Sequence, residues 1–143
     1  MNNTPLTWVS KQQKMVETST YGSKLVAAHI AVNLIIEWRY KLRMLGLILE
    51  ESSYLVGDNM SVVVNTTLPS SGLKKKHLAC NYHRVREAVA ARFCKFGHID
   101  SGNNLADICT KPLGGQVFSK LSRMYLFREP KLLSRARGMN EGE

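Results

Sequence analysis

Apolar positions recur at helical spacing from residue 21 to residue 45. Leu25, Ala28, Val32, Ile35 and Leu42 form one stripe, and Ala27, Ala31, Leu34, Trp38 and Leu45 form a second. Two adjacent stripes make a wide apolar face, which fits a helix packed deep against a sheet. Ser19 and Thr20 stand where an N-cap side chain is wanted, and Gly46 offers a C-terminal stop. Upstream, residues 7–18 carry β-formers at both ends with poor alternation and read as a strand. Residues 53–57 form a short apolar run, read as a buried strand that delivers Asp58 at its carboxyl end. Residues 59–65 read as a short helix despite three consecutive stiff valines, and 69–72 as a break. The clearest surface helix spans 73–92. Its apolar stripe is Leu78, Tyr82, Val85 and Val89, with Lys74, Lys75, Lys76, Arg84 and Arg86 largely off it. Residues 93–99 read as a strand and 100–104 as a loop. Asn104 is placed to cap a short helix that Pro112 ends, and residues 116–126 form a last amphipathic helix. Trp8 and Trp38 are expected as core anchors.

The order strand, helix, strand, helix, helix, strand, helix predicts α/β layering around a three-stranded mixed sheet. A chain of 143 residues defaults to one domain, and 44% hydrophobic with 22% charged residues is ordinary globular composition. Disorder, collagen-like repeats and coiled coil are excluded on that ground. Glu37, Arg39 and Lys41 interrupt the longest apolar stretch, so no membrane span and no membrane partner are expected. The first residues have neither a basic start nor an apolar run, so no signal peptide is expected. Three cysteines, Cys80, Cys94 and Cys109, are too few and too odd for a disulfide framework. That favours an intracellular setting, in cytoplasm or nucleus. The net charge is +9, and residues 71–143 hold 14 Lys/Arg against 6 Asp/Glu. Such a basic half suits a polyanionic partner, most simply nucleic acid, and suits a merely solvated surface about as well.

Two acidic residues are placed for chemistry. Asp58 ends a strand, where open α/β sheets gather their sites, and Asp107 opens a helix after the last strand. Hard cations such as Mg²⁺ bind through one or two carboxylates plus substrate phosphates, so the two form a candidate metal pair. Each also has a plainer role: Asp58 with Asn59 as a turn and cap, Asp107 as a charge offsetting a helix N-terminus. Cys80, His83, Cys94 and His98 have zinc-like spacing, but strand geometry sets residues 94 and 98 too far apart for easy chelation. Each cysteine reads better as a small core thiol. His77 and His83 read as helix-surface histidines.

Several segments together resemble the ribonuclease H domain of copia-type retrotransposon Pol polyproteins. These are Trp8-Val-Ser-Lys11, Val16-Glu-Thr-Ser-Thr20 and Tyr21-Gly-Ser-Lys-Leu-Val-Ala-Ala28. They continue in Gly57-Asp-Asn-Met-Ser-Val62, in Lys76-His77 with Tyr82-His-Arg-Val-Arg-Glu87, and in His98-Ile99 with Asn104-Leu-Ala-Asp-Ile-Cys-Thr-Lys-Pro-Leu113. The match covers residues 7–126, leaving 1–6 as an extension and 127–143 as a basic tail.

The resemblance implies a ribonuclease H-like α/β fold and two-metal hydrolysis of RNA in RNA–DNA hybrids, with Mg²⁺ or Mn²⁺. Asp58 and Asp107 match two of the family's four acidic positions. Lys24 stands where the family has a glutamate, which replaces a metal ligand by a cation without an acceptor. The strand bearing the family's first aspartate lies upstream of the matched segments, so the sheet is expected to lack its first two strands. A catalytically defective remnant follows. It would retain non-sequence-specific nucleic-acid binding through Lys74, Lys75, Lys76, Arg84 and Arg86, with the reverse transcriptase portion of a polyprotein as a further candidate partner. A transposon relic with no role of its own is the bland alternative.

Overall fold

The computed structural model describes residues 5–11, 13, 17, 19–73 and 75–125. The elements are α1 (Thr20–Met44), β1 (Ser53–Gly57), α2 (Met60–Thr67), a 3-10 turn (Lys76–Leu78), α3 (Ala79–Ala90) and β2 (Cys94–His98). A second 3-10 turn (Ser101–Asn103), α4 (Asp107–Thr110) and α5 (Gly115–Tyr125) follow. The chain divides into two compact units, residues 12–101 and residues 1–11 with 102–143.

In the first unit, α1 starts where Ser19 Oγ accepts from the Gly22 N–H at 3.3 Å. It ends in a paired carbonyl cap: Gly46 N–H donates to Arg43 O and Leu47 N–H to Leu42 O. Gly46 takes φ +80°, a conformation that penalises any Cβ, so the predicted stop is met by glycine's freedom. Leu25, Ala28 and Val32 face inward, and the core continues through Leu55, Val62, Leu78, Tyr82, Val85, Ala88 and Cys94. The α2 helix forms although its valines resist helix. Asn59 Oδ1 caps the Val62 N–H at 3.2 Å, and Val62 and Val63 are buried.

The sheet has two strands among the described residues. β1 and β2 run parallel, with Leu55 opposite Phe96 and Gly57 opposite His98. The helical crossover through α2 and α3 makes parallel pairing natural. Leu55, Cys94 and Phe96 pack into the core, while Tyr54, Val56 and Lys95 on the other face are exposed. Gly57 lets the Phe96 ring close in, since a Cβ there would lie 3.1 Å from it.

Two arginines tie down the connections. Arg39 donates to Leu49 O, Glu51 O and Ser53 Oγ, holding the approach to β1 against α1. Arg86 donates to Asn65 O, Leu68 O, Pro69 O and Ser71 Oγ, closing the exit of α2.

Four expectations need correction. The described residues within 7–18 form no strand, and β1 pairs only with β2 among the described residues, so the sheet is parallel and two-stranded rather than mixed and three-stranded. A strand needs a ladder partner, and the described residues of this poorly alternating segment have none. Trp8 is 72% exposed rather than a core anchor. Leu45 is 75% exposed, because the chain reverses at Gly46 just beyond it. Finally, β1 buries only Leu55, because among the described residues helices cover one face of the sheet alone.

In the second unit, Asn104 Oδ1 accepts from Ala106 N–H and Asn104 O from Asp107 N–H. The predicted cap is thus an Asx turn leading into α4. Ser10 Oγ donates to Cys109 O, Lys120 Nζ to Asn103 Oδ1, and Leu121 of α5 is buried.

Candidate functional site

Asp58 follows β1 immediately. The strand end is held by the Gly57–His98 register and by the Ile99 N–H donating to Gly57 O at 3.0 Å. Asn59, the next residue, caps α2. Asp58 is therefore pinned between a strand end and a helix start. Its side chain is 10% exposed.

Lys24 lies one turn into α1, beside fully buried Leu25. Its Nζ donates to Asp58 Oδ2 at 2.6 Å. An ammonium on a largely buried carboxylate makes a short, charge-assisted bond, stronger than a neutral one. It also places a positive charge where a divalent cation would have to approach Asp58 Oδ2.

Asp107 opens α4 in the other unit and is 7% exposed. Lys111, one turn on, donates to its Oδ2 at 2.8 Å. Each predicted metal ligand thus has a lysine as an ion-pair partner. Among the described residues no group of three or more His, Cys, Asp or Glu is arranged to hold a metal ion. The residues present do not fit Mg²⁺ or Mn²⁺, because Lys24 offers charge of the wrong sign and no lone pair at Asp58.

The predicted basic residues meet different fates. Lys74 lies outside the described residues. Lys75 Nζ donates to Ser19 Oγ at 2.6 Å, and His77 Nε2 donates to the Glu17 carboxylate at 3.1 Å. These bonds pin the start of the basic segment to the N-terminus of α1. Lys76 is exposed. Arg84 Nε donates to Asn33 Oδ1 and its Nη1 to Glu87, while half its side chain surface or more is covered. Arg86 points inward, stacked over Tyr82 at 5.2 Å with its guanidinium on carbonyls. An open hollow of about 750 Å³ runs beside α3, with Thr66, Thr67, Cys80, His83, Arg84 and Arg86 on its walls. Of the four predicted contacts that are described, Lys76 and Arg84 present the most available charge.

Sequence reasoning missed Glu17, whose side chain is 3% exposed and whose partner His77 lies 60 residues on. A lone glutamate before a helix carries no signal of burial. The zinc-like quartet does not assemble: Cys94 is buried in the core, while Cys80 and His98 are exposed. Burial pushes the Cys94 thiol above its ordinary range. The core-thiol reading holds for Cys94 and fails for Cys80 and Cys109, which are exposed. Burial, with Arg84 nearby, pulls His29 below the usual histidine value. Arg84 fixes the Asn33 amide, which therefore donates through Nδ2 to His29 Nε2 at 2.9 Å. His29 Nδ1 is then the protonated nitrogen, buried without a partner among the described residues.

The chain is similar to plant retrotransposon polyproteins. It is 31% identical over 121 residues to the retrovirus-related Pol polyprotein from transposon RE2 of Arabidopsis thaliana, covering 83% of this chain and 8% of that protein. It is 28% identical over 120 residues to the corresponding polyprotein from transposon RE1 of the same plant, covering 82% of this chain and 8% of that protein. The chain spans about one-twelfth of the length of these curated relatives. No protein-family profile matches it, and no solved structure matches it.

Proposed function

We propose that this chain is a retrotransposon-derived, ribonuclease H-like module that binds nucleic acid without cleaving it. Similarity to Pol polyproteins supports the origin. The parallel β-α-α-β unit, with Asp58 at a strand's carboxyl end, supports the ribonuclease H-like reading. The observation that carries the loss of cleavage is the 2.6 Å ion pair between Lys24 and Asp58. Two-metal hydrolysis needs uncompensated carboxylates to hold cations beside the scissile phosphate. At Asp58 an ammonium already compensates the charge.

Binding rests on the excess of basic residues in 71–143. Contact with phosphate is electrostatic and carries no sequence preference, so RNA–DNA hybrid and duplex are both suitable partners. Lys76 and Arg84 are the residues on which this binding most depends among those described. The test is fluorescence anisotropy of a labelled hybrid at rising salt. Affinity falls log-linearly with salt, with a slope of about −0.9 per phosphate contacted. Lys76→Ala lowers affinity for every sequence alike and makes the slope shallower by about one. Affinity indifferent to salt overturns the binding reading.

A further inference from the structure

The turn that opens the basic segment is tied back to the chain ahead of α1 by two side-chain links. Lys75 Nζ donates to Ser19 Oγ at 2.6 Å, and His77 Nε2 donates to Glu17 Oε1 at 3.1 Å. Between them, Lys76 is exposed. Glu17 and Ser19 thus form a clasp on a short cationic turn that lies 56 and 60 residues further along the chain.

Glu17 is the buried half of the clasp. Its side chain is 3% exposed, against 58% for His77. The carboxylate lies against Gly22, where any Cβ would overlap it, so the first turn of α1 makes room for it by lacking a side chain. Among the described residues, His77 is the one side chain that hydrogen-bonds it. A carboxylate covered to this degree is costly unless it is partnered, so Glu17 holds on to the turn.

We infer that Glu17 is an internal competitor for nucleic acid. The inference rests on the binding reading proposed above and concerns the same basic segment. In the closed clasp Lys75 and His77 direct their donors to Ser19 and Glu17, and the Glu17 charge opposes a phosphate that approaches the turn. A bound strand reaches those donors only by displacing Glu17. Lys76 and Arg84 therefore make the first contacts, and Lys75 and His77 are held in reserve. Opening of the clasp and occupation of the turn by phosphate are linked, and each favours the other.

Fluorescence anisotropy with a labelled RNA–DNA hybrid tests this. Glu17→Gln is expected to bind about fivefold tighter than the wild type, at the lower end of ordinary coupling between sites. Its salt slope is expected to steepen by about one, as Lys75 gains a phosphate. Glu37→Gln removes the same charge about 25 Å further along α1 and is expected to leave affinity within about twofold. Lys75→Ala is expected to change wild-type affinity little and to cancel the gain in the Glu17→Gln background. Hydrogen exchange gives a readout on the wild type itself. Saturating hybrid is expected to speed exchange of the Gly22 and Ser23 amides, which Ser19 holds in the closed clasp. Equal affinity of Glu17→Gln and wild type, a gain that Glu37→Gln reproduces, or a first turn whose exchange the hybrid does not quicken overturns the inference and leaves the binding reading standing. Absence of salt-sensitive binding by both Glu17→Gln and wild type overturns the binding reading itself, and the inference with it.

Discussion

Lys24 Nζ stands 2.6 Å from Asp58 Oδ2, across 34 residues of sequence. One residue rides on the first turns of a helix and the other closes a strand. Their meeting sets the electrostatics of this end of the fold, because the lysine's ammonium compensates the carboxylate's charge.

Lys24→Met removes that charge and leaves Asp58, 10% exposed, without its ammonium. A cost of about 1–3 kcal/mol is expected, between the values for exposed and buried pairs. Urea unfolding measures it. Millimolar Mg²⁺ leaves the wild-type melt unmoved. Lys24→Glu sets two carboxylates together, and its melt rises with Mg²⁺ as binding to the native state draws the equilibrium.

Arg86 is a structural clamp on the exit of α2. Arg86→Ala strands the Asn65, Leu68 and Pro69 carbonyls and lowers stability by about 2–3 kcal/mol. Arg86→Lys recovers little, since an ammonium cannot reproduce a planar fork on several acceptors. If Arg86→Ala melted like the wild type yet lost hybrid affinity, the clamp would be the wrong role.

His29 makes stability depend on pH. Burial, then the Arg84 charge, holds its folded pKa below the ordinary histidine range, so the unfolded chain binds the proton more readily. The stabilisation is whole above about pH 6.5 and is lost as pH falls through the folded value. His29→Gln keeps an acceptor for Asn33 and flattens this part of the profile. Thermal melts between pH 7.5 and about 5 compare the two.

Cys94 is 1% exposed and its thiol is held protonated by burial. Cys80 and Cys109 are exposed. A thiol reagent is expected to modify two cysteines quickly and the third only in denaturant. Three fast thiols in the native protein would contradict the packing around β2.

Local features of the fold were legible in the sequence. The span of α1, the Ser19 cap, the Gly46 stop and the Asn59 cap depend on neighbours a few residues away. The described residues of 7–18 depart from the strand reading because a strand exists only with a partner, and composition does not name one. Arg86 looked like surface charge on an amphipathic helix. Nothing local told that its guanidinium would turn to carbonyls 17 to 21 residues back. The Lys24–Asp58 meeting was visible only through the family resemblance, which placed both at one site. Neither periodicity nor charge count relates a helix start to a distant strand end.

The central claim is that a fold of this kind, with Lys24 on Asp58, grips nucleic acid and does not cut it. The direct measurement is incubation of a labelled RNA–DNA hybrid with the purified chain in Mg²⁺ or Mn²⁺, beside an Asp58→Asn control. Salt-sensitive binding with no cleavage by either protein is the expected result. Metal-dependent cleavage by the wild type that Asp58→Asn abolishes would contradict the account, since the site would then work with a lysine in place.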